Sequence, residues 1–122
     1  MPTVTFFLML RSTPAWLALS RAERAAYVDE AVKPIFAAHP PRSSRFYDAE
    51  ALSGRCSDIM VIEADDLRSY GFLIDALRDI AFFGAPYFQV LDIIPALEDS
   101  YRDYDREVGV GRKTTPASAP RS

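Results

Sequence analysis

Residues 4–10 have the sequence VTFFLML, and this run decides the fold of the chain. It contains no Gly or Pro, and its composition is typical of a central β-strand that is apolar on both faces. Because side chains alternate across a strand, even-numbered residues share one face and odd-numbered residues the other. The two predicted faces are Val4, Phe6, Leu8 and Leu10, and Thr5, Phe7 and Met9.

A helix is predicted after this strand. Ser20 and Glu23 form a capping-box pattern, in which each side chain bonds a backbone amide of the first turn. Apolar residues then recur at helical spacing as far as Phe36. Pro34 lies inside this segment and lacks an amide hydrogen, so a kink or a weakened last turn is expected there.

Three more strands complete the pattern. Residues 43–49 alternate weakly, and residues 56–63 and 87–94 are clearer strand segments. A second helix lies between the last two of these strands. The order β-α-β-β-α-β predicts an α+β, ferredoxin-like sandwich with a four-stranded antiparallel sheet.

The second helix begins with Asp65 or Asp66 as its N-cap and carries an apolar stripe as far as Ala81. Gly71 inside it costs about 1 kcal/mol of helix stability relative to Ala, so we expect a neighbouring element to pack closely at that position. Residues 82–86 are expected to form a loop.

The end of the chain differs in composition from the rest. Residues 97–108 place apolar side chains on one face of a short helix, whereas residues 109–122 have the composition of a flexible tail. We therefore predict one domain over residues 1–108, followed by a tail over residues 109–122.

Composition disfavours several classes of function. The 122 residues carry a net charge of -3, which disfavours a nucleic-acid binder. A single Cys and a single His exclude an internal disulfide and disfavour a zinc site of the usual N/S type. A carboxylate-based metal site is the alternative, and we predict no metal. No apolar run reaches the roughly 18 residues of a membrane span, and no basic segment precedes the first strand. We expect no membrane partner and a cytoplasmic location.

The second face of the sheet raises the question of what covers it. Two helices on one face would leave Phe, Met, Ile and Leu side chains exposed on the other, and a large exposed apolar patch is unusual in a monomer. Pairing of two copies through this face predicts a homodimer, a dimeric α/β barrel. The alternative is that the C-terminal segment folds back over the face.

Ionisable residues are densest between positions 45 and 58. An Arg fork can hold a carboxylate or an enolate, and a buried Asp can act as a general base. The sequence therefore suggests Asp58 as the base, Arg45 or Arg55 as the group that stabilises an enolate, and Tyr47 beside them. The alternative is structural, with Arg55 paired to Asp48 or Asp58 across the connection between strands.

Other residues are predicted to bind the substrate. Trp16 follows the first strand, where it could close a pocket or simply anchor the first helix. The remaining predicted substrate-binding residues are Phe7, Asp48, Tyr87 and Gln89. Strand alternation puts Tyr87 and Gln89 on one face, opposite Asp92, and a pocket that unites them with Asp58 needs two faces to coincide.

Two reactive side chains have simpler interpretations. Cys56 could be a nucleophile assisted by its Arg neighbour, although a small buried strand residue is the more common case. His39 ends the first helix, where a cation favours the helix dipole. A haem ligand could come only from His39, Cys56, a Met or a Tyr, and none is well placed in the sequence. We predict no cofactor.

Several blocks of the sequence together resemble the darcynin family. They are residues 13–17, 46–51, 55–58 and 87–95, and the resemblance covers about residues 3–104. It implies a fold similar to the dimeric α/β-barrel superfamily, which includes cofactor-free monooxygenases, lactone isomerases, polyketide cyclases and haem enzymes. Fold analogy alone carries no particular chemistry.

Together, the cluster and the analogy predict a small cofactor-independent isomerase, cyclase or monooxygenase. Its substrate would be a hydrophobic aromatic or polyketide-like small molecule. The alternative is a non-catalytic binding or assembly dimer. An apolar pocket of some 300 Å³ or more, lined by a few polar groups, favours the enzyme over the assembly protein.

Overall fold

The computed structural model describes residues 2–109. The strands are β1 (Val4–Ser12), β2 (Ser43–Asp48), β3 (Asp58–Ala64) and β4 (Phe88–Ala96). The helices are α1 (Pro14–Leu17), α2 (Arg21–Tyr27), α3 (Lys33–Ala38), α4 (Leu67–Arg78), α5 (Ala81–Gly84) and α6 (Ser100–Val108). A π-helical turn (Val28–Val32) joins α2 to α3. Of the predicted tail, only Gly109 lies within the described residues.

The four strands form one sheet in the order β2-β3-β1-β4, and each neighbouring pair is antiparallel. This is the predicted ferredoxin-like arrangement, which is confirmed. Three even-numbered residues of β1, Phe6, Leu8 and Leu10, are buried beneath the helices, so the alternation separates the two faces as predicted. The core combines them with β3 and α4 residues: Phe6, Leu8, Leu10, Met60, Ile62, Leu73 and Leu77. Each such side chain contributes roughly 1.5–3 kcal/mol through its burial.

The first helical segment begins with the predicted capping box. The Glu23 amide donates to Ser20 Oγ at 3.1 Å, and the Ser20 amide donates to Glu23 Oε1 at 2.7 Å. Near Pro34 the segment widens into the π-helical turn, where the Lys33 amide donates to the Val28 carbonyl. A regular α-helix would press the Pro34 ring against the Glu30 carbonyl, and the wider turn avoids this contact.

Two short helices occupy segments that the sequence suggested were irregular. The segment after β1 forms α1, because the Thr13 hydroxyl accepts from the Trp16 amide. The second long helix ends at Arg78 rather than Ala81, and α5 occupies part of the expected loop. Gly84 is required there, since a Cβ would lie 2.5 Å from the Arg78 carbonyl oxygen. Gly71, in contrast, faces open space, so the close packing expected at that position is wrong.

Strand β4 contains a bulge that the alternation did not predict. Val90 pairs with Leu10 and Asp92 pairs with Met9, so Leu91 is an extra residue between them. The bulge shifts the alternation by one position. Gln89 and Asp92 therefore share a face, and the prediction that they lie on opposite faces is wrong.

The face of the sheet away from the helices is called the open face here; its apolar side chains are Phe7, Met9, Ile59, Val61 and Ile94. Phe7 is 37% exposed and Ile94 is 47% exposed. These two side chains are therefore accessible to solvent, and helix α6, which follows β4, does not cover them. Among residues 2–109, the structure has no helix long and apolar enough to cross a membrane.

Candidate functional site

A cleft separates the helical layer from the sheet near strand β2. Its helical wall consists of Val28, Val32 and Phe36, all on or next to the π-helical turn. Trp16, Phe46, Met60, Phe82 and Phe88 line the remainder. The volume of this cleft is about 480 Å³, within the range of small-molecule sites. We call it the aromatic cleft.

Aromatic rings surround Phe88 on three sides of the cleft. Their centroids lie 5.0 Å away for Trp16, 5.7 Å for Phe46 and 5.1 Å for Phe82. Flat apolar surfaces at such spacings favour contact with a planar molecule, because ring faces and edges attract one another. Tyr87 lies behind Trp16, at a centroid distance of 5.3 Å, and holds the indole in place.

The aromatic cleft adjoins a polar hollow of about 340 Å³. Trp16 and Phe88 line both spaces, so the two are neighbours across these rings. The ionisable side chains of the hollow are Arg21, Arg24, Asp48, Glu50 and Asp58. An apolar ligand in the cleft would therefore have one end near a group of carboxyls and guanidinium groups.

Asp58 is the buried member of this group, at 6% exposure. It pairs directly with Asp48 across strands β2 and β3. Burial raises the pKa of Asp58, and the hydrogen bond and negative charge of Asp48 raise it further, while the Ser57 hydroxyl bond acts in the opposite direction. A carboxyl with a raised pKa holds a proton more readily than an ordinary aspartate, which suits a group that accepts and returns a proton.

Arg24 fixes the end of α1, the short helix that carries Trp16. Its Nε donates to the Trp16 carbonyl at 3.2 Å, and an Nη donates to the Leu17 carbonyl at 3.1 Å. The guanidinium also lies 5.8 Å from the centroid of the indole. These contacts place a positive charge at the boundary between the aromatic cleft and the polar hollow.

The structure brings together only part of the predicted site. Trp16, Asp48 and Asp58 lie around the polar hollow, and Arg45 lies at the rim of the aromatic cleft. Tyr87 precedes β4 and packs on the helix side.

Four predicted substrate-binding or catalytic residues take positions on the other side of the sheet. By register, Phe7, Arg45, Tyr47 and Gln89 belong to the open face. Arg45, on the edge strand β2, also reaches the rim of the aromatic cleft, and the hollow around Asp58 contains none of the four. Arg55 is exposed in the loop before β3, and the described part of the chain contains no ion pair between it and Asp48 or Asp58. The suggested Arg55 lock is therefore not formed.

Sequence reasoning missed Ser57, Arg24 and the helical wall as site residues. Val28, Val32 and Phe36 carried a signal, a stripe spaced four residues apart, but that stripe is equally typical of a core face. Ser57 and Arg24 act through backbone carbonyls and amides that are distant in sequence, and no local pattern reveals such contacts.

The residues of the cleft do not suit a haem group held by an imidazole. His39 is the single His of the chain, and it lies beside Arg42 and Tyr70, away from the aromatic cleft. Within residues 2–109, no three His, Cys, Asp or Glu side chains are grouped so as to hold a metal ion.

The fold and the cleft define a ferredoxin-like α+β protein with a ligand-sized aromatic cleft next to a carboxyl pair. The family model for darcynin, a domain of unknown function, matches residues 1–114. The chain belongs to the darcynin family.

Two curated relatives illustrate the similarity. Darcynin of Chromobacterium violaceum is 48% identical over 77 residues, which are 63% of this chain and 98% of that protein. Darcynin 1 of Acinetobacter baumannii is 45% identical over 89 residues, which are 73% of this chain and 99% of that protein.

Among solved structures, a mutant chlorite dismutase from Candidatus Nitrospira defluvii is similar, with a TM-score of 0.65 and 14% identity. The match covers 97% of this chain, which spans about half (51%) of the chlorite dismutase chain. At this identity the likeness concerns the fold alone.

Proposed function

We propose that the chain binds a planar, largely apolar small molecule in the aromatic cleft and converts it by acid–base catalysis without a cofactor. The observation that carries the proposal is that Trp16 and Phe88 line both the cleft and the hollow that contains Asp58. An apolar binding surface and a buried carboxyl with a raised pKa are the two components that such a reaction needs.

The reaction that these residues support is an isomerisation or a cyclisation through an enolate. Asp58 accepts a proton from a carbon next to a carbonyl, and the electron pair of the C–H bond moves onto the carbonyl oxygen. The same carboxyl then returns the proton to another carbon of the substrate. Asp48 stabilises the protonated form of Asp58 between the two steps, because its negative charge disfavours a second carboxylate beside it.

The enolate oxygen requires a positive group, and the arginines of the hollow supply it. Arg21 and Arg24 line the same space as Asp58, whereas Arg55 is exposed in the loop before β3 and is not part of that lining. Arg45 lies at the other rim of the cleft, where it is available to an acidic substituent of the substrate.

Binding is tested with Trp16, the one Trp of the chain, as a fluorescent reporter. We expect 1-naphthol to change its emission in a saturable way. Val28→Phe narrows the cleft and should weaken binding by about tenfold or more, the factor for 1.4 kcal/mol. Ala26→Phe, on the exposed side of the same helix, serves as the matched control. Equal affinities for all three proteins would exclude the cleft as the binding site.

Catalysis is tested with β-tetralone, a bicyclic ketone with exchangeable hydrogens next to its carbonyl. In deuterated buffer the protein should accelerate hydrogen–deuterium exchange at that carbon, as followed by NMR. Asp58→Asn should abolish the acceleration while leaving 1-naphthol binding intact. Binding without accelerated exchange would support the alternative function, a non-catalytic small-molecule carrier.

We also propose that two copies pair through the open face. Its apolar side chains, including the 37% exposed Phe7 and the 47% exposed Ile94, would form a contiguous patch of a kind that soluble monomers seldom expose. A second copy supplies the same patch by two-fold symmetry, so each face covers the other. Native mass spectrometry of the purified chain distinguishes a dimer from a monomer and would also detect a ligand retained during purification.

A further inference from the structure

Ser57 makes an unusual set of contacts at the start of β3. It is 7% exposed, and its amide donates to the Leu10 carbonyl at 2.9 Å while its own carbonyl accepts from the Ala49 amide at 2.8 Å. These two bonds tie it to strand β1 and to the segment after β2. The position of its side chain is therefore fixed by the backbone on both sides.

The hydroxyl of Ser57 has three neighbours and one proton. The Ser12 amide donates to Ser57 Oγ at 2.7 Å. The proton of the hydroxyl can be donated to Asp58 Oδ2 at 2.7 Å or to the Leu10 carbonyl at 3.3 Å. A hydroxyl provides one donor and two acceptor lone pairs, so the two acceptors compete for the same proton.

We propose that Ser57 is a positioning residue for Asp58, and that its hydroxyl proton turns between Asp58 Oδ2 and the Leu10 carbonyl as Asp58 loses or gains its proton. When Asp58 is ionised, the hydroxyl donates to the carboxylate. When Asp58 is protonated, its O–H donates to Ser57 Oγ, and the hydroxyl proton moves to the Leu10 carbonyl. No covalent bond other than the O–H bond of Asp58 changes.

This exchange keeps the carboxyl in one orientation in both protonation states. The Ser57 hydroxyl and the Asp58 O–H each have an acceptor in either state, so the exchange leaves neither of these two groups unsatisfied. The other charged groups around Asp58 are Asp48 and Glu50 on the side of β2, and Arg21 and Arg24 on α2. None of these is among the hydrogen-bond partners of the Ser57 hydroxyl.

The proposal deepens the proposed acid–base role of Asp58, but its test needs no substrate. In the full chain labelled with carbon-13, the side-chain carboxyl of Asp58 and the backbone carbonyl of Leu10 are followed by NMR as a function of pH. We expect the Leu10 carbonyl to shift downfield as the pH falls, with the same midpoint as Asp58, because it gains a second hydrogen bond. A Leu10 signal that stays constant through the titration of Asp58 overturns the proposal.

Variants separate the hydroxyl from the rest of the residue. Ser57→Ala should move the Asp58 midpoint to higher pH, since it removes a donor to the carboxylate, and should abolish the response of Leu10. Ser57→Thr retains the hydroxyl and should preserve both signals, and Ser44→Ala, an exposed serine on β2, serves as the control. An unchanged Asp58 midpoint in a folded Ser57→Ala protein also overturns the proposal. The wild-type titration decides the question if that variant does not fold.

The two proposals fail in distinguishable ways. If β-tetralone exchange is absent but the Leu10 carbonyl signal follows the titration of Asp58, the positioning role of Ser57 is supported and the catalytic role of Asp58 is refuted. If exchange depends on Asp58 but the Leu10 signal does not respond, the catalytic role is supported and the positioning role of Ser57 is refuted.

Discussion

Replacing Asp58 by Asn should stabilise the protein at neutral pH. Asp58 is 6% exposed and lies directly opposite Asp48. Asn has the same shape and no charge. Its amide can donate to the Asp48 carboxylate, and its oxygen can accept from the Ser57 hydroxyl, which lies 2.7 Å from Oδ2 in the wild type. The variant thus removes a buried charge without leaving a cavity.

The sign of the effect follows from the pKa. Burial and Asp48 raise the pKa of Asp58 in the folded chain, whereas the unfolded chain has an ordinary aspartate. Between these two pKa values the folded state binds more protons than the unfolded state. The free energy of unfolding therefore falls as the pH rises through this window and is lowest above the raised pKa.

The magnitude follows from the geometry of the pair. Directly opposed residues of antiparallel strands have Cα atoms roughly 5 Å apart, and two like charges at that distance repel by about 3 kcal/mol at an effective dielectric constant of about 20. Protonation of one carboxyl relieves part of this cost, so we expect Asp58→Asn to gain about 1–3 kcal/mol at neutral pH. At about 4 °C per kcal/mol for a domain of this size, the melting temperature rises by about 4–12 °C.

Thermal unfolding followed by circular dichroism at neutral pH and at about pH 4 measures this effect. The gain should shrink at the acidic pH, because the raised pKa lets Asp58 take up a proton more readily in the folded chain than in the unfolded chain. Asp75→Asn, an exposed carboxyl in α4, serves as the control and should change stability by less than about 0.5 kcal/mol. A destabilised Asp58→Asn protein, or a gain that does not depend on pH, would refute the reasoning.

Four other substitutions test the packing and the pairing of copies described above. Phe88→Ala removes the ring at the centre of the aromatic cleft and should cost about 3–5 kcal/mol in urea unfolding; a loss below about 1 kcal/mol would mean that the cleft collapses freely. Gly84→Ala places a methyl group 2.5 Å from a backbone oxygen and should cost about 1–3 kcal/mol. At Gly71 nothing lies within 4 Å of an added Cβ, so Gly71→Ala should instead stabilise the protein by about 0.5–1 kcal/mol. Equal changes in melting temperature for Gly84→Ala and Gly71→Ala would contradict the close contact at Gly84. Ile94→Glu should convert the expected dimer to a monomer in native mass spectrometry, while Leu52→Glu, at a 93% exposed position off the sheet, should not.

Much of the fold follows from local patterns in the sequence. The VTFFLML run requires a strand with apolar residues on both sides, and its alternation correctly separates the buried Phe6, Leu8 and Leu10 from Phe7. The Ser20–Glu23 capping box places the start of α2 where the structure has it. These features rest on neighbours within four residues of one another, which is why they are visible in sequence.

The candidate site could be predicted only in part. Asp58, Asp48 and Trp16 were identified as chemically interesting residues, and they meet at one hollow. Tyr47, Gln89 and Phe7 were grouped with them but lie across the sheet. Alternation predicts which residues of one strand share a face. It does not predict which face of each strand lies under the helices.

The sequence by itself determined the order of the strands and helices, the strand faces of β1 and the family. Tertiary structure alone decided that Leu91 bulges out of β4, that the helices cover the Asp58 face, and that the Ser57 hydroxyl links Asp58 to β1. Each of these depends on contacts between segments far apart in the chain. Local spacing fixes which residues share a face of an element, whereas the cleft exists only where separate elements pack against one another.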